Sequence, residues 1–571
     1  MNQSVRNRLL AGTFALFLIR LLLSLIRTGP VLVADETGYL TNARVIVGGL
    51  PGQLELAPFY RGGYSLLIAP VVGLVSDPGF SYHLILVLNA ALAASVLPLL
   101  YLLLTRFGGV RPEPAFWAAL AGAAYPALTV LSQVAMSENA LFPLVCIWLI
   151  AFGGLLSADG RREVGWAVAL GLATGALWAV HNRMIVAVAI AVAGLIVLAL
   201  RRRLRPAASA VGLAVIALSF YGVYLLDDFL VNDNYAGSAP DELSDRMDQL
   251  LHFEGLRTAL ANVIGQSWYL LVATFGLAAV AAFDFFIRSR RARRAETGLA
   301  RAGNGRDGSL PVLGILLTLT ALLLLISAAA FPERTRPDML IYGRYTEVVA
   351  PALVAFGLVG LKPAWLSLKL DQVAWPLVGF AVLTAVVVLI RVTASDPDAP
   401  NRWNISALPF VTVQLGAAIL VGAALVALAG AFLLVQASQV GPRILGLMAV
   451  ALFLPVIAYG AWNPVRSSQR AVYPPGWDNP QEIVEAEGAK TIAYDLDHYD
   501  TIGLYAIQWF LPESRLVLFE GGREAPASKL VISGGKWGER HPAGRPRQLW
   551  RDDGRDQSLW RLAKPCPDAG C

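Results

Sequence analysis

Two adjacent carboxylates, Asp35 and Glu36, follow the first long apolar segment of the chain. Charged side chains are costly to desolvate where a chain leaves a bilayer, so this pair is expected to face water, a cavity or a cation. A carboxylate of ordinary acidity is ionised at neutral pH and accepts a proton from a positioned hydroxyl group. The pair therefore predicts general base chemistry, although two acids at a helix start can also simply cap it.

Positive charge that could complement this chemistry lies at Arg344 and Arg183. Arg344 stands between Tyr342 and Tyr345, just before an apolar segment, and Arg183 follows His181 between two such segments. A guanidinium group matches phosphate oxygens with two parallel hydrogen bonds. Arginines at a membrane surface also extend their charge into the interface, so both interpretations stay open from sequence alone. His181 is expected to be a turn residue or a substrate contact rather than a metal ligand.

Further polar residues stand at the ends of apolar segments. Glu138 begins one of them after Ser137, where the helix dipole alone would favour an acid. Arg61 precedes a short apolar segment, where lipid head groups alone would favour an arginine. Arg20 lies within the first apolar segment, and an unpaired charge there is costly, so it is expected to face the helix bundle and pair with an acid.

The elements that must position these residues are membrane helices. Of the 571 residues, 56% are apolar and only 15% are charged, whereas soluble domains carry about 25% charged residues. Repeated apolar segments of about 20 residues exclude a soluble enzyme, a fibrous protein and a disordered chain. Thirteen segments are predicted to span the membrane: 9–31, 83–105, 114–132, 138–157, 165–180, 184–200, 207–226, 263–287, 310–331, 345–361, 374–391, 405–436 and 444–462.

The distribution of charge predicts the orientation of these spans. With the N-terminus in the cytoplasm, the basic clusters at 201–203 and 288–306 lie inside, as the positive-inside rule requires. The apolar segment Tyr64–Val75 is too short to cross, so the first outer loop, 32–82, is expected to hold surface or re-entrant helices. An odd number of spans places residues 463–571 outside a cytoplasmic membrane.

The tail is predicted to be a small α/β domain, separate from the membrane domain at 1–462. Short apolar runs predict three strands, and a helix fits between the first two. Cys566 and Cys571 could form a terminal disulfide, while Cys146 is expected to pack inside a span. The predicted elements are strands Thr491–Asp495, Arg515–Phe519 and Lys529–Ser533 and the helix Ile502–Phe510.

The membrane part resembles the GT-C superfamily of membrane glycosyltransferases, in the branch of the protein mannosyltransferases and aminoarabinose transferases (family 39 type). The resemblance implies a mainly α-helical polytopic fold, an active site on the outer face and a polyprenyl-phosphate sugar as donor. The expected acceptor is a cell-envelope glycan, lipid or protein, and the position of the basic clusters beside the membrane argues against nucleic acid. The motifs that carry it are Asp35-Glu36 with Tyr39, the run at 63–70, Met136-Ser137-Glu138 and Gly343-Arg344-Tyr345.

In such enzymes an acid of the first outer loop is the catalytic base, which implies Asp35 here, with Glu36 as an orienting residue or as the base itself. A single displacement at the anomeric carbon predicts inversion. The remaining residues would bind the donor phosphate (Arg344, Tyr345, Arg183) or the substrates (Glu138, Tyr39, Arg61, His181). No cofactor is required. A divalent cation is possible because some relatives use one, but no tight ligand spacing assigns it.

Three other classes of protein remain open. A transporter or flippase of a lipid-linked saccharide would explain the spans, but not the surface helices or the tail, and no repeated halves are visible. A polysaccharide ligase or polymerase shares the need for an outer arginine, but not the acidic pair. A scaffold or sensor whose tail binds a partner predicts that replacing Asp35 has no effect on catalysis. The Ala-, Arg- and Gly-rich composition is typical of a bacterial protein.

Overall fold

The structure is a computed structural model, and its helices form most of the chain. The residues it describes are 3–32, 34–54, 57–235, 248–297, 309–332, 335–361, 370–394, 398, 400–413, 416–475, 477–498, 501–520, 526, 528–540, 546–554 and 556–563. The helices up to the first 300 residues are α1 Gln3–Ser24, α2 Asp35–Ile46, α3 Gly62–Leu74, α4 Pro78–Arg106, α5 Pro112–Ala123, α6 Pro126–Leu131, α7 Glu138–Leu156, α8 Arg162–Val180, α9 Ile185–Leu200, α10 Pro206–Asn234, α11 Phe253–Ala273 and α12 Leu277–Thr297. The later helices are α13 Ser309–Ala329, α14 Arg344–Glu347, α15 Ala350–Gly360, α16 Leu370–Thr393, α17 Ala417–Val440, α18 Pro442–Val472, α19 Gln481–Ala486, α20 Thr501–Phe510 and α21 Trp537–Arg540.

The predicted polytopic membrane protein is confirmed, and ten of the thirteen predicted spans are single helices in the part of the chain that the structure describes. Among the described residues, ten helices are long and apolar enough to cross a bilayer, and an eleventh crossing requires counting α11 and α12 as one span. The short helix predicted after residue 64 is α3, whose 13 residues are too few to cross.

The other three predicted spans are broken or short for local reasons. Segment 114–132 divides into α5 and α6, because Pro126 at the start of α6 cannot continue the preceding helix. Segment 263–287 bends by 98° between α11 and α12, where Phe275 and Gly276 both have positive φ. Segment 345–361 consists of the single turn α14 and the 11-residue α15.

The break after α5 also corrects the expected partner of Arg20. Among the residues that the structure describes, this buried guanidinium has no acidic partner: its Nη2 donates to the carbonyl oxygen of Ala123 at 2.6 Å. Ala123 ends α5, and the last carbonyls of a helix have no partner within the helix and carry partial negative charge. Arg20 therefore stabilises a helix end that lies inside the membrane bundle.

The tail contains the predicted strands β1 Thr491–Asp495, β2 Arg515–Phe519 and β3 Leu530–Gly534, and the predicted helix is α20. Two further strands, β4 Arg547–Asp552 and β5 Gln557–Arg561, complete a sheet of order β2-β1-β3-β5-β4. β1 pairs in parallel with β2 and β3, while β5 pairs antiparallel with β3 and β4. The sequence missed β4 because charged residues begin and end this edge strand. Cys566 and Cys571 lie outside the described residues.

The tail packs through α20 on α2 and on the start of α4. Arg44 near the end of α2 donates from Nη2 to the carbonyl oxygens of Gln508 and Trp509, at 3.0 and 3.3 Å. The Trp509 indole donates to the carbonyl oxygen of Pro78 at 3.2 Å. These contacts join α20 to both α2 and the start of α4, so they hold the helix on which Asp35 lies.

Candidate active site

A cavity of about 180 Å³ lies at the N-terminal end of α2. One wall comes from the start of α2 and the segment before α3, and the other from the α8–α9 junction and the residues around α14. The side chains that line the cavity are Asp35, Tyr39, Pro58, Phe59, Tyr60, Arg61, Val180, His181, Asn182, Phe331, Tyr342, Arg344 and Tyr345. Six of the nine residues that the sequence singled out therefore lie in one cavity, although they come from segments far apart in the chain.

Asp35 is the carboxylate that faces this cavity. Its Oδ1 accepts from the Tyr60 hydroxyl at 2.8 Å, and its Oδ2 accepts from Arg344 Nη1 at 2.6 Å. The preceding residue, Ala34, has a φ of 70°, which is a strained value for a residue with a Cβ atom. Such backbone strain costs on the order of 1–3 kcal/mol and persists only where the surroundings impose it.

Glu36 points away from the cavity and is fully buried. Its Oε2 accepts from the backbone N–H groups of Val31 and Leu32, both at 2.7 Å. Its Oε1 accepts from the Tyr82 hydroxyl at 2.7 Å and from the Ala135 N–H at 2.6 Å. Burial raises the pKa of the Glu36 carboxyl, while the four donors oppose that shift because they favour the ionised form. Glu36 thus ties the strained turn before α2 to the segment before α7.

Replacing Glu36 by glutamine is expected to destabilise the protein. The amide nitrogen of glutamine cannot accept hydrogen bonds, so two buried donors lose their acceptor, at a cost of about 1–3 kcal/mol for each unsatisfied group. Thermal unfolding in detergent micelles would measure this loss as a lower Tm for Glu36→Gln. Glu113→Gln is the matched control, because the Glu113 side chain is 58% exposed and lies in an exposed ion pair with Arg8 at 3.7 Å. Equal Tm values for the two variants would contradict the role given to Glu36.

Glu138 is a second buried carboxylate, and it holds two arginines. Its Oε1 accepts from Arg183 Nη2 at 3.0 Å and from Arg344 Nε at 2.8 Å, and Arg344 Nη2 lies 3.5 Å from its Oε2. Burial acts to lower the pKa of Arg344, but Glu138 and Asp35 together raise it well above its usual value. Two carboxylates and two guanidinium groups therefore balance one another at this end of the cavity.

His181 supplies a neutral donor beside these charges. Its Nδ1 accepts from the backbone N–H of Arg183 at 3.2 Å, which places the imidazole proton on Nε2. Burial, and then the charge of Arg183, lower the pKa of His181 well below its usual value. Its ring meets Tyr345 edge-on, with ring centres 5.6 Å apart. An uncharged imidazole that lines the cavity and carries an Nε2 proton can donate to a substrate oxygen.

The other predicted substrate contacts have structural partners as well. Tyr39 is buried and donates to the Ser137 hydroxyl at 2.9 Å. Arg61 Nη1 lies 3.5 Å from Asp227 Oδ2 and donates to the carbonyl oxygen of Trp178 at 3.3 Å. Arg183 and Glu138 do not line the cavity themselves, and they act on it through Arg344 and His181.

Sequence reasoning missed Tyr60 and Glu347 as site residues. Tyr60 holds Asp35, and its only sequence signal was its place in an aromatic run beside Arg61. Glu347 is fully buried on the same helical turn as Arg344. Its Oε1 accepts a hydrogen bond from the Tyr269 hydroxyl. The same atom also accepts from the Ala407 N–H, at 2.9 Å. These bonds fix α14, and therefore the direction of Arg344. In the part of the chain that the structure describes, no group of three or more His, Cys, Asp or Glu side chains could hold a metal ion.

Comparisons with known proteins identify the class of fold. The crystal structure of ArnT from Cupriavidus metallidurans bound to undecaprenyl phosphate superposes with a TM-score of 0.51 at 15% identity, covering 97% of this chain and 98% of that chain. The apo structure of the same protein gives a TM-score of 0.52 at 16% identity, covering 96% of each chain. This chain has the GT-C fold, as the resemblance predicted. No family model matches the sequence, and no curated protein matches it.

Proposed function

We propose that this protein is a glycosyltransferase that moves a sugar from a polyprenyl-phosphate donor to a hydroxyl group of a cell-envelope acceptor. The observation that supports it most strongly is the contact between Asp35 and Arg344 in one cavity, where Oδ2 and Nη1 are 2.6 Å apart. Such a transfer requires a proton acceptor and a phosphate-binding cation that are close enough to act on the same bound sugar. The fold shared with ArnT, whose crystal structure holds undecaprenyl phosphate, agrees with this proposal.

Asp35 is the base in this proposal. Its carboxylate accepts the proton of the acceptor hydroxyl as that oxygen bonds to the anomeric carbon, and the bond from this carbon to the phosphate oxygen breaks. Because one displacement occurs, the product has the inverted anomeric configuration. Asp35 is favoured over Glu36 because the four hydrogen bonds of Glu36 lie outside the cavity, and over Glu138 because Glu138 pairs with two arginines.

The departing polyprenyl phosphate gains negative charge, which donors directed at it stabilise in the transition state. Arg344 offers its guanidinium edge, and the His181 Nε2–H is a second donor on the same wall. Arg183 stays with Glu138, where it lies with its guanidinium carbon 4.5 Å from the centre of the Tyr345 ring. Its charge contributes to the positive potential, while Tyr345 and Tyr39 line the space for the sugar.

The proposed location follows from the charge of the loops. The N-terminus would lie in the cytoplasm, residues 1–462 would form the catalytic membrane domain, and residues 463–571 would form an extracytoplasmic domain. Reporter fusions after residues 203 and 571 test this orientation, because alkaline phosphatase is active only outside the cytoplasm. An active reporter after residue 203, together with an inactive one at the C-terminus, would contradict the orientation.

The activity is tested with the full-length protein in phospholipid nanodiscs. A panel of radiolabelled polyprenyl-phosphate sugars is offered with an envelope extract as acceptor, and the anomeric configuration of the product is determined. Transfer with inversion supports the proposal, whereas retention excludes a single displacement by Asp35. The alternative, a flippase of a lipid-linked saccharide, would move the intact donor between leaflets of a vesicle without releasing polyprenyl phosphate.

A further inference from the structure

A groove of about 370 Å³ lies beside the active cavity, between α8 and α10. Arg61 lines both spaces, so its side chain is a shared wall. The groove adjoins the base, because Arg61 directly follows Tyr60, whose hydroxyl binds Asp35. The side chains that give the groove its chemistry are Arg61, Trp178, Phe220, Tyr224, Asp227 and Asp228.

The shared wall is held rigidly. The Arg61 guanidinium carbon lies 3.6 Å from the centre of the Trp178 ring, and the Trp178 ring is stacked on Phe220 at 4.7 Å with an angle of 8° between the planes. Asp227 also accepts a hydrogen bond from the Gly62 N–H, with an N···O distance of 3.4 Å. Arg61 and Asp227 therefore form a fixed pair of donor and acceptor before any ligand arrives, which lowers the entropy cost of binding.

The groove offers the combination of groups that recognises a polyhydroxylated ring. Aromatic side chains provide apolar surface for the C–H faces, and charged side chains bind hydroxyl groups with hydrogen bonds stronger than neutral ones. One arginine against two aspartates gives the groove a net negative charge, so a phosphate group is disfavoured there. The chemistry of the groove therefore suits an uncharged saccharide rather than the donor phosphate.

We infer that this groove is the subsite for a saccharide end of the acceptor, whose hydroxyl reaches Asp35 past Arg61. The inference rests on the proposed function and adds to it the chemical class of the acceptor. The saccharide belongs to a free glycan or to the head group of a membrane glycolipid. The lipid chains of a glycolipid would find an apolar surface beside the groove, because Tyr221, Tyr224 and Leu225 of α10 are exposed.

The test uses the full-length protein in nanodiscs with bound undecaprenyl phosphate. Saturation-transfer NMR measures the binding of methyl glycosides of mannose, galactose and arabinofuranose, and of the octyl glycosides of the same sugars. Tyr224→Ala is expected to weaken glycoside binding about fivefold, and Asp227→Asn roughly tenfold. Tyr221→Ala is the matched control, since Tyr221 and Tyr224 are 61% and 62% exposed on the same helix and only Tyr224 lines the groove.

Each outcome decides the inference. Binding of methyl glycosides that Tyr224→Ala weakens and Tyr221→Ala does not supports a free glycan, and the same pattern with octyl glycosides alone supports a glycolipid. No glycoside binding, equal effects of the two tyrosine variants, or Tyr224-dependent binding of a serine- and threonine-containing peptide instead would overturn it. Undecaprenyl phosphate binding is measured on the same samples with Arg344→Ala. If that binding depends on Arg344 while the glycosides fail, only the groove assignment is wrong; if wild type binds no undecaprenyl phosphate, the proposed function fails.

Discussion

Asp35→Asn is expected to abolish sugar transfer and, at the same time, to bind undecaprenyl phosphate more tightly than wild type. The Asp35 carboxylate occupies Arg344 Nη1 at 2.6 Å, while Glu138 already occupies Nε and approaches Nη2. A phosphate that uses the guanidinium fork must therefore displace Asp35. Losing the base costs about 100- to 10,000-fold in rate. Losing the competing charge is expected to raise the affinity roughly tenfold.

The two halves of this prediction are measured separately in nanodiscs, as transfer of labelled sugar and as equilibrium binding of undecaprenyl phosphate. Asp248→Asn serves as the control, because Asp248 is an exposed acid before α11. Weaker phosphate binding by Asp35→Asn would show that the carboxylate does not compete for Arg344. Tighter binding implies an order of events, in which the donor enters first and frees the base for the acceptor.

Arg344→Lys is expected to lose most of the affinity for the donor, even though it keeps the positive charge. Arg344 binds two carboxylates at once, through Nε and Nη1, and a lysine ammonium is a point charge that cannot reproduce this planar fork. Removing one partner of a buried, hydrogen-bonded charge pair costs about 2–5 kcal/mol. The expected result is a loss of undecaprenyl phosphate affinity of roughly 30-fold or more, with transfer reduced at least in proportion.

Folding must be separated from binding in this experiment, because Arg344 also neutralises Glu138. Thermal unfolding of Arg344→Lys identifies a general loss of structure, and Arg257→Lys is the control, since the Arg257 side chain is 70% exposed. Wild-type affinity in a folded Arg344→Lys variant would mean that another group binds the phosphate. Arg183 would then be the next residue to replace, because it shares Glu138 with Arg344.

Local sequence was sufficient for a large part of the fold. In a bilayer, an apolar run of about 20 residues is stable as a helix, because no water is present there to form hydrogen bonds with the backbone. Three strands and the helix of the tail were predicted from short apolar runs such as Thr491–Asp495, because a strand that is buried along most of its length leaves a local pattern. The breaks at Pro126 and at Phe275-Gly276 were missed, because the apolar pattern continues through both.

The candidate site was predicted as a set of residues but not as an arrangement. The sequence and its resemblance to a known family identified Asp35, Glu138, Arg183 and Arg344 as candidate site residues. Their partnership depends on the tertiary structure, because Glu138 and Arg344 are 206 positions apart. No local pattern records a contact over that separation.

Only the tertiary structure separated Asp35 from Glu36. The two acids are adjacent in sequence, but successive residues of a helix point about 100° apart, so they face different surroundings. One meets the cavity, with Tyr60 and Arg344, and the other meets backbone N–H groups that the folded chain brings from residues 31, 32 and 135. The sequence by itself determined that a membrane protein would place carboxylates at this point, because apolar length and charge are local properties. The packing of distant segments decided which of the two carboxylates faces the cavity, since access and hydrogen-bond partners exist only in the folded chain.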